Sequence, residues 1–201
     1  PSGLDLALIV SDPLASAAGV FTTNRAVAAP VVISKNQLSL SNGKARAIVV
    51  NSKCANACTG DDGIRAAQLM VTEVAMSLSC EPQHVLIAST GVIGMRLDTQ
   101  KVSSGIRNAV KQLRPEKHLA AAEAIMTTDV SPKEYAVSVE TSEGVFTIGG
   151  MVKGAGMIEP DMATMLGFLT TDAAVEPAIL NRALREIVNR TFNAITVDGE
   201  S

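Results

Sequence analysis

Residues 134–152 read EYAVSVETSEGVFTIGGMV, two strand-like runs separated by a short polar turn. The runs extend over Glu134–Glu140 and Val145–Val152, and the turn between them, Thr141-Ser142-Glu143-Gly144, ends in a glycine. A turn of this kind joins the two antiparallel strands of a β-hairpin. Parallel strands need a longer crossover, usually a helix. The stretch therefore favours the α+β class, as a layered sandwich of mixed and antiparallel sheets with flanking helices, over a doubly wound parallel sheet.

Apolar patterning predicts further elements on both sides of this hairpin. Short apolar runs bounded by turn residues predict strands over residues 5–11, 19–23, 30–33, 45–51, 85–89 and 192–197. Apolar residues at helical spacing predict helices over 60–79, 117–126 and 177–189, and a fourth helix capped by Asp98. Strands and helices do not alternate strictly, which again favours the α+β class.

The composition argues against several classes of partner. The 201 residues are 47% hydrophobic, with a net charge of -3 and only 2% aromatic side chains. Nucleic acids and anionic membranes call for a basic surface, and base stacking calls for aromatic platforms. The chain opens on no basic and apolar leader, and it contains no long uninterrupted apolar run. We therefore expect a cytoplasmic protein that binds neither nucleic acid nor membrane.

The cysteines and histidines form neither a metal-binding nor a disulfide pattern. Cys54, Cys58 and Cys80 are odd in number, and no second ligand pair follows the first two. His84 and His118 lie far from each other and from Cys54 and Cys58 in the sequence, so we expect no metal site and no Ser-His-Asp triad. We interpret Cys54 and Cys58 as packing residues and His118 as a solvated side chain.

The chemically informative segment is residues 153–166, KGAGMIEPDMATML, in which a glycine-containing loop leads to the Ala163–Thr164 bond. The Thr164 hydroxyl could attack the carbonyl of Ala163 if the backbone is strained and a donor stabilises the oxyanion. Hydrolysis of the resulting ester would make Thr164 a new N-terminus, whose α-amine can act as a base for its own hydroxyl. From the pattern alone, an ordinary strand threonine that faces a neighbour remains the favoured interpretation.

Six blocks of sequence, in order, resemble the glutamate N-acetyltransferase family, which is also called ornithine acetyltransferase and acts in arginine biosynthesis. Together the blocks extend across almost the whole chain. They are AAGVFTTNRAVAAPV from Ala17, NSKCANACTG from Asn51, STGVIG from Ser89, AIMTTD from Ala124, KGAGMIEPDMATMLGFLTTD from Lys153 and FNAITVDG from Phe192. The resemblance implies a self-processing enzyme of the N-terminal-nucleophile type.

The resemblance also implies a division of the chain. The bond between Ala163 and Thr164 is then the scissile one, so that residues 1–163 form an N-terminal, or alpha, segment. Residues 164–201 begin a C-terminal, or beta, segment whose remainder is absent, because members are usually about twice this length. The family commonly assembles from two alpha and two beta chains.

Residue roles follow from the same resemblance. Thr164 corresponds to the nucleophile, and Thr90 and Gly91 correspond to the oxyanion-hole pair. Thr127 and Lys153, with Thr164 itself, correspond to substrate-binding positions, and a lysine ammonium suits a substrate carboxylate. Thr128 and Asp129 are weaker candidates, because Asp129 could serve only to cap a turn.

The implied reaction is transfer of an acetyl group from N2-acetyl-L-ornithine to L-glutamate through an acetyl-Thr164 intermediate. No cofactor is implied, although some members also accept acetyl-CoA as the donor. Two alternatives stay open at this point. One is a self-processing hydrolase of the aminopeptidase type, in which water resolves the acyl-enzyme. The other is a truncated domain without catalytic activity.

Overall fold

The computed structural model describes residues 3–159 and 165–200. The strands are β1 (Leu6–Ser16), β2 (Lys44–Asn51), β3 (Val85–Ser89), β4 (Lys133–Thr141), β5 (Gly144–Lys153) and β6 (Leu166–Thr171). The α-helices are α1 (Ala29–Leu40), α2 (Gly60–Leu78), α3 (Thr99–Lys111), α4 (His118–Ala124) and α5 (Pro177–Arg190). This combination of two small sheets with flanking helices confirms the predicted α+β class.

The first sheet is mixed, with the order β1-β2-β3. Strands β1 and β2 run antiparallel, with Leu6 opposite Asn51. Strands β2 and β3 run parallel, and their register ends with Asn51 opposite Ser89. The carboxyl ends of the two parallel strands therefore meet at one edge of the sheet, where the loops that follow Asn51 and Ser89 come together.

Strand β2 is apolar along both faces because both faces of this sheet are covered. Ala47 and Val49 pack against a core that α1, α2 and α3 complete. Ile48 and Val50 contribute to a second core with residues of α4, β5 and β6. The layers are thus helices, the mixed sheet, and then α4 with the second sheet.

The second sheet is antiparallel throughout, with the order β4-β5-β6. Strands β4 and β5 form the predicted hairpin, closed by Thr141 opposite Gly144. Strand β6 pairs with the far side of β5, and this ladder begins with Lys153 opposite Leu166. The carboxyl end of β5 is therefore fixed by β6, and Lys153 occupies that end.

The helix predictions are confirmed. Helix α2 buries the stripe of apolar residues that its spacing indicated, including Ala67, Met70 and Val74. Asp98 caps α3 by accepting a hydrogen bond of 3.1 Å from the Lys101 N–H. The turn at residues 41–43 and the strand over residues 85–89 are also present.

Three strand predictions are wrong. Residues 30–33 lie in the first turn of α1, where Pro30 suits a helix start because it has no N–H to leave unpaired. Residues 19–23 adopt no regular secondary structure. Residues 192–197 contain a short 3-10 turn, Phe192–Ala194, after which the Val197 N–H bonds to the Ile158 carbonyl and not to a sheet. Apolar composition alone does not distinguish these cases.

The outer edge of β3 is protected by a side chain from α1. The buried Ser34 hydroxyl donates a hydrogen bond of 2.7 Å to the Ile87 carbonyl. The same oxygen accepts a hydrogen bond of 2.8 Å from the Ile87 N–H. One hydroxyl thus satisfies both backbone groups of an edge residue, and it aligns β3 against the helical layer.

Replacing Ser34 by alanine tests this contact. Ser34→Ala leaves the N–H and the carbonyl of Ile87 buried without their partner, and we expect the free energy of unfolding to fall by about 2–3 kcal/mol. The measurement is equilibrium urea unfolding. Ser39→Ala, on an exposed position of the same helix, is the matched control and should change stability by less than about 0.5 kcal/mol. Equal losses in the two variants would contradict the edge-pairing role.

Candidate functional site

The loop that follows β3 lies directly on the loop that follows β2. The Thr90 N–H donates to the Asn51 carbonyl at 3.0 Å, and the Val92 N–H donates to the Lys53 carbonyl at 3.0 Å. Gly91, between them, has a φ of +131°. A Cβ at this position would lie 2.2 Å from the carbonyl carbon of Lys53. Only glycine fits both the conformation and the space at position 91.

The buried side chain of Asn51 bonds to the end of β3 and to the loop after β2. Its Oδ1 atom accepts a hydrogen bond of 2.5 Å from the Ser89 hydroxyl. Its Nδ2 atom donates to the Cys54 carbonyl at 2.9 Å. Because one amide bonds to the last residue of β3 and to the loop after β2, it helps to fix Thr90 and Gly91 relative to Cys54.

Lys153 joins this edge of the mixed sheet to the antiparallel sheet. Its Nζ atom donates a hydrogen bond of 3.2 Å to the Thr90 hydroxyl oxygen. Both residues are buried, with Lys153 only 4% exposed. The Thr90 oxygen accepts this bond, so its own hydrogen points elsewhere and can be donated to a further acceptor. Within residues 3–159 and 165–200, the Gly91 N–H makes no hydrogen bond.

The surroundings of Lys153 act on its pKa in both directions. Burial lowers the pKa of the Lys153 ammonium, since removal from water disfavours the charged form. The carboxylate of Asp129 acts in the opposite direction and raises this pKa, whereas the ammonium of Lys133 lowers it further. The pKa of Lys153 lies below its ordinary value as a result.

Asp129 is the acidic group at the centre of this arrangement. Its Oδ1 atom accepts from Lys133 Nζ at 2.5 Å and from the Gly154 N–H at 2.8 Å. Its Oδ2 atom accepts from the Thr127 N–H at 3.3 Å. Burial alone would raise the pKa of Asp129, but these hydrogen bonds outweigh burial and hold the pKa below its usual value.

The structure brings several of the predicted residues together. Thr90 and Lys153 are in contact, Gly91 follows Thr90, and Thr127 is connected to the end of β5 through Asp129. Ala163 and Thr164, the predicted scissile bond and nucleophile, lie outside the described residues. The roles assigned to all these residues remain predictions.

Asp129 has more partners than a turn cap requires. We predicted a weaker candidate that could serve only to cap a turn, and the carboxylate also bonds to Lys133 on β4 and to the Gly154 N–H just after β5. The signal available in the sequence was the AIMTTD block, which ends on Asp129. The partners of this residue could not be read from the sequence, because Gly154 is 25 residues away along the chain.

A second acidic residue joins the two described segments that flank residues 160–164. Asp198 accepts hydrogen bonds from the Met157 N–H at 2.6 Å and from the Ile158 N–H at 2.9 Å. These bonds, that from Ile158 foremost, lower the pKa of Asp198. The Thr196 hydroxyl also donates to the Ile158 carbonyl at 3.2 Å. The FNAITVDG block is thus bound to the segment that precedes Pro160.

The predictions for Cys54 and His118 are confirmed, and the prediction for Cys58 is wrong. Cys54 is buried and donates from its thiol to the Met95 carbonyl at 3.2 Å, as a packing residue would. Cys58 is exposed, so the prediction that it packs is wrong. His118 is exposed as predicted, but it also pairs with the Glu134 carboxylate at 2.9 Å.

A groove of about 1460 Å³ runs along β1, between α3, α4 and the second sheet. Its volume exceeds the range of about 300–1,000 Å³ that is usual for small-molecule sites. Of the predicted site residues that the structure describes, none lines it. Across the described parts of the chain, no cluster of three or more His, Cys, Asp or Glu side chains could hold a metal ion. Of the helices described, none has the length and apolar character needed to cross a bilayer.

The chain matches the model of the ArgJ family over residues 2–201. It is 51% identical over 197 residues to the arginine biosynthesis bifunctional protein ArgJ of Symbiobacterium thermophilum, covering 98% of this chain and 48% of that protein. It is 53% identical to the protein of the same name from Chlorobium chlorochromatii, covering 98% of this chain and 46% of that protein. The chain thus spans about half the length of these relatives.

Solved structures show the same fold. The crystal structure of ArgJ from Bacillus halodurans superposes with a TM-score of 0.73 at 39% identity, covering 79% of this chain and 83% of that chain. The ornithine acetyltransferase of Mycobacterium tuberculosis, solved in complex with ornithine, gives a TM-score of 0.73 at 40% identity. This second match covers 80% of the present chain and 85% of the other.

The close approach at Gly91 predicts the effect of a methyl group. Gly91→Ala combines an unfavourable φ with a clash against the Lys53 backbone, and we expect a loss of at least about 3 kcal/mol in the free energy of unfolding. Gly94→Ala is the control, because Gly94 also has a positive φ, +79°, but open space around its Cβ position. We expect it to cost about 1 kcal/mol. Similar losses in urea unfolding would show that the packing of the two loops does not matter.

Proposed function

The chain belongs to the ArgJ family, and on that premise we propose that it is part of an acetyltransferase of arginine biosynthesis. The proposed reaction moves an acetyl group from N2-acetyl-L-ornithine to L-glutamate. The observation that carries the proposal is the contact between buried Lys153 and Thr90, beside Gly91, at the carboxyl end of β3. A cation and two hydrogen-bond donors are held together there, which suits an anionic substrate whose carbonyl oxygen gains charge during the reaction.

We assign the role of nucleophile to Thr164, after cleavage of the Ala163–Thr164 bond. The Thr164 hydroxyl attacks the Ala163 carbonyl carbon, the C–N bond breaks, and the Thr164 nitrogen leaves as an amine. Water then hydrolyses the ester between Ala163 and the Thr164 oxygen, releasing a carboxylate and regenerating the hydroxyl. The position of the neighbouring residues supports this assignment. Leu166, two residues after Thr164, pairs with Lys153 on β5, and Met165 packs near Gly154.

The freed α-amine supplies the base that this chain otherwise lacks. An α-amine has a reference pKa of about 7.7–8.0, so a substantial fraction is neutral at physiological pH. It takes the proton of the Thr164 hydroxyl as that oxygen attacks the acetyl carbonyl of acetylornithine. The proton then goes to the departing ornithine amine. In the second half of the reaction the glutamate amine attacks the acetyl carbon, the ester bond to the Thr164 oxygen breaks, and the α-amine passes the proton from glutamate to that oxygen. Acetylglutamate then leaves, and the Thr164 hydroxyl is restored.

The remaining groups take complementary roles in this proposal. The Thr90 hydroxyl and the Gly91 N–H each have a hydrogen available, and both donate it to the tetrahedral oxyanion. The Lys153 ammonium binds a substrate carboxylate, and Thr127 lies on the segment that Asp129 connects to the end of β5. We further propose an assembly of two alpha and two beta chains, with acetyl-CoA as an alternative acetyl donor.

Cleavage itself is the first prediction of this proposal. Mass spectrometry of the denatured full-length protein should show two fragments that meet at Ala163 and Thr164. Thr164→Ala removes the hydroxyl and should leave one intact chain, whereas Thr164→Ser keeps a hydroxyl and should retain partial cleavage. Thr170→Ala, on an exposed position of β6, is the control and should cleave normally. An active wild-type protein that stays in one piece would refute the self-processing mechanism.

The products distinguish transfer from hydrolysis. Incubation of the cleaved protein with acetylornithine and glutamate should yield acetylglutamate and ornithine in equal amounts, measured by mass spectrometry. The Thr164→Ala variant should form less than about one thousandth of this product, because the acyl-enzyme cannot form. Release of free acetate without acetylglutamate would instead favour a hydrolase. A protein that is not cleaved, and is inactive with both acetylornithine and acetyl-CoA as donor, would favour a domain without catalytic activity.

A further inference from the structure

We propose that Asp129 is a positioning residue for substrate binding, whose buried carboxylate aligns Thr127 and Lys153 and supplies the counter-charge for the Lys153 ammonium. The inference rests on the proposed function, because it concerns how the same site takes up an anionic substrate. It gives a specific role to a residue that the sequence analysis left as a weaker candidate.

The Asp129 carboxylate is buried and accepts hydrogen bonds from three donors. The side chain of Asp129 is 1% exposed, so its charge must be balanced inside the protein. Three donors meet it, from Lys133 on β4, from the Gly154 N–H at the end of β5, and from the Thr127 N–H after α4. A residue that only capped its own turn would not bond to a strand 25 residues further along the chain.

Two of these bonds act directly on candidate substrate residues. The Gly154 N–H is the backbone group next to Lys153, so its bond to Asp129 fixes the end of β5 from which the Lys153 side chain extends. The Thr127 N–H bond fixes the short segment that carries the Thr127 side chain. One carboxylate therefore sets the separation of two residues that come from different segments of the chain.

Asp129 and Lys153 each contact a different element of the fold. Asp129 forms an ion pair with the half-exposed Lys133 on β4. Lys153 donates a hydrogen bond to Thr90, at the end of the mixed sheet. The charge of Asp129 favours the protonated form of Lys153, which is the form that can bind a substrate carboxylate.

The groups that face Lys153 can be named element by element within the described residues. The loop after β3 contributes the Thr90 hydroxyl, the segment after α4 contributes Asp129, and β4 contributes Lys133. Strand β6 places the apolar Leu166 opposite Lys153. Asp129 and Lys133 act on the pKa of Lys153 in opposite directions, and this opposition provides a test.

The test compares two variants that should shift the pH dependence in opposite directions. Asp129→Asn keeps the size of the side chain but removes its charge, so Lys153 loses its proton at a lower pH. We expect the KM for acetylornithine to rise at least about tenfold at neutral pH, with the alkaline limb of kcat/KM moved to lower pH. Lys133→Met removes a neighbouring positive charge and should move the same limb to higher pH.

A control and a direct measurement complete the experiment. Lys101→Met breaks an exposed pair with Asp98 on α3 and should leave the limb in place. The titration of Lys153 itself is followed in the full-length protein by the 13C resonance of its ε-carbon, assigned with Lys153→Met. The direction of the shift separates positioning from general destabilisation, because a purely structural role would lower activity in both variants without moving the limb.

The outcomes separate the two proposals. A Lys153 titration that stays unchanged in both Asp129→Asn and Lys133→Met would overturn the inference, whatever the activity of the wild type. Opposite shifts of that titration, accompanied by opposite shifts of the alkaline limb, would support it. Opposite titration shifts in a protein that forms no acetylglutamate would overturn the proposed function, and with it the substrate-binding role of Asp129.

Discussion

A buried cation at the junction of two sheets is the constraint on which the candidate site depends. Lys153 reaches from the end of β5 to Thr90 at the end of β3, in surroundings that disfavour its charge. Such a group is tolerated only where hydrogen bonds and an opposite charge replace water. Thr90 supplies a hydrogen bond and Asp129 an opposite charge, and both favour the cation in this position.

The same junction requires that the mixed sheet end in a rigid pair of loops. Asn51 bonds to both loops, and the absence of a side chain at Gly91 lets the backbone at Thr90 approach that at Lys53. These bonds place the Thr90 hydroxyl before any ligand arrives. Preorganised donors of this kind stabilise a developing charge without the cost of reorienting during the reaction. The parallel register of β2 and β3, which aligns Asn51 with Ser89, therefore helps to place Thr90 for the role that we propose.

Local patterns predicted the elements whose structure is decided locally. The β4–β5 hairpin follows from its turn, and α2 and α3 follow from their apolar spacing and the Asp98 cap. Residues 30–33 show where this approach fails, because Pro-Val-Val-Ile has the composition of a strand but begins a helix. Apolar composition does not distinguish the two cases there, and for Asp129 the missing information was the tertiary contacts. The residue was visible in the sequence, but its bonds to Gly154 and Lys133 depend on how distant segments meet.

The strands that precede and follow residues 160–164, β5 and β6, are paired with each other. This pairing determines what the proposed cleavage would do to the fold. Strand β5 precedes these residues and β6 follows them, and the two are joined from Lys153 opposite Leu166 to Ile148 opposite Thr171. Asp198 binds the backbone of Met157 and Ile158 as well. Breaking the Ala163–Thr164 bond removes one covalent link but none of these hydrogen bonds. The pairing of β5 with β6 would therefore persist after the proposed cleavage, and the strands that position Lys153 would stay together.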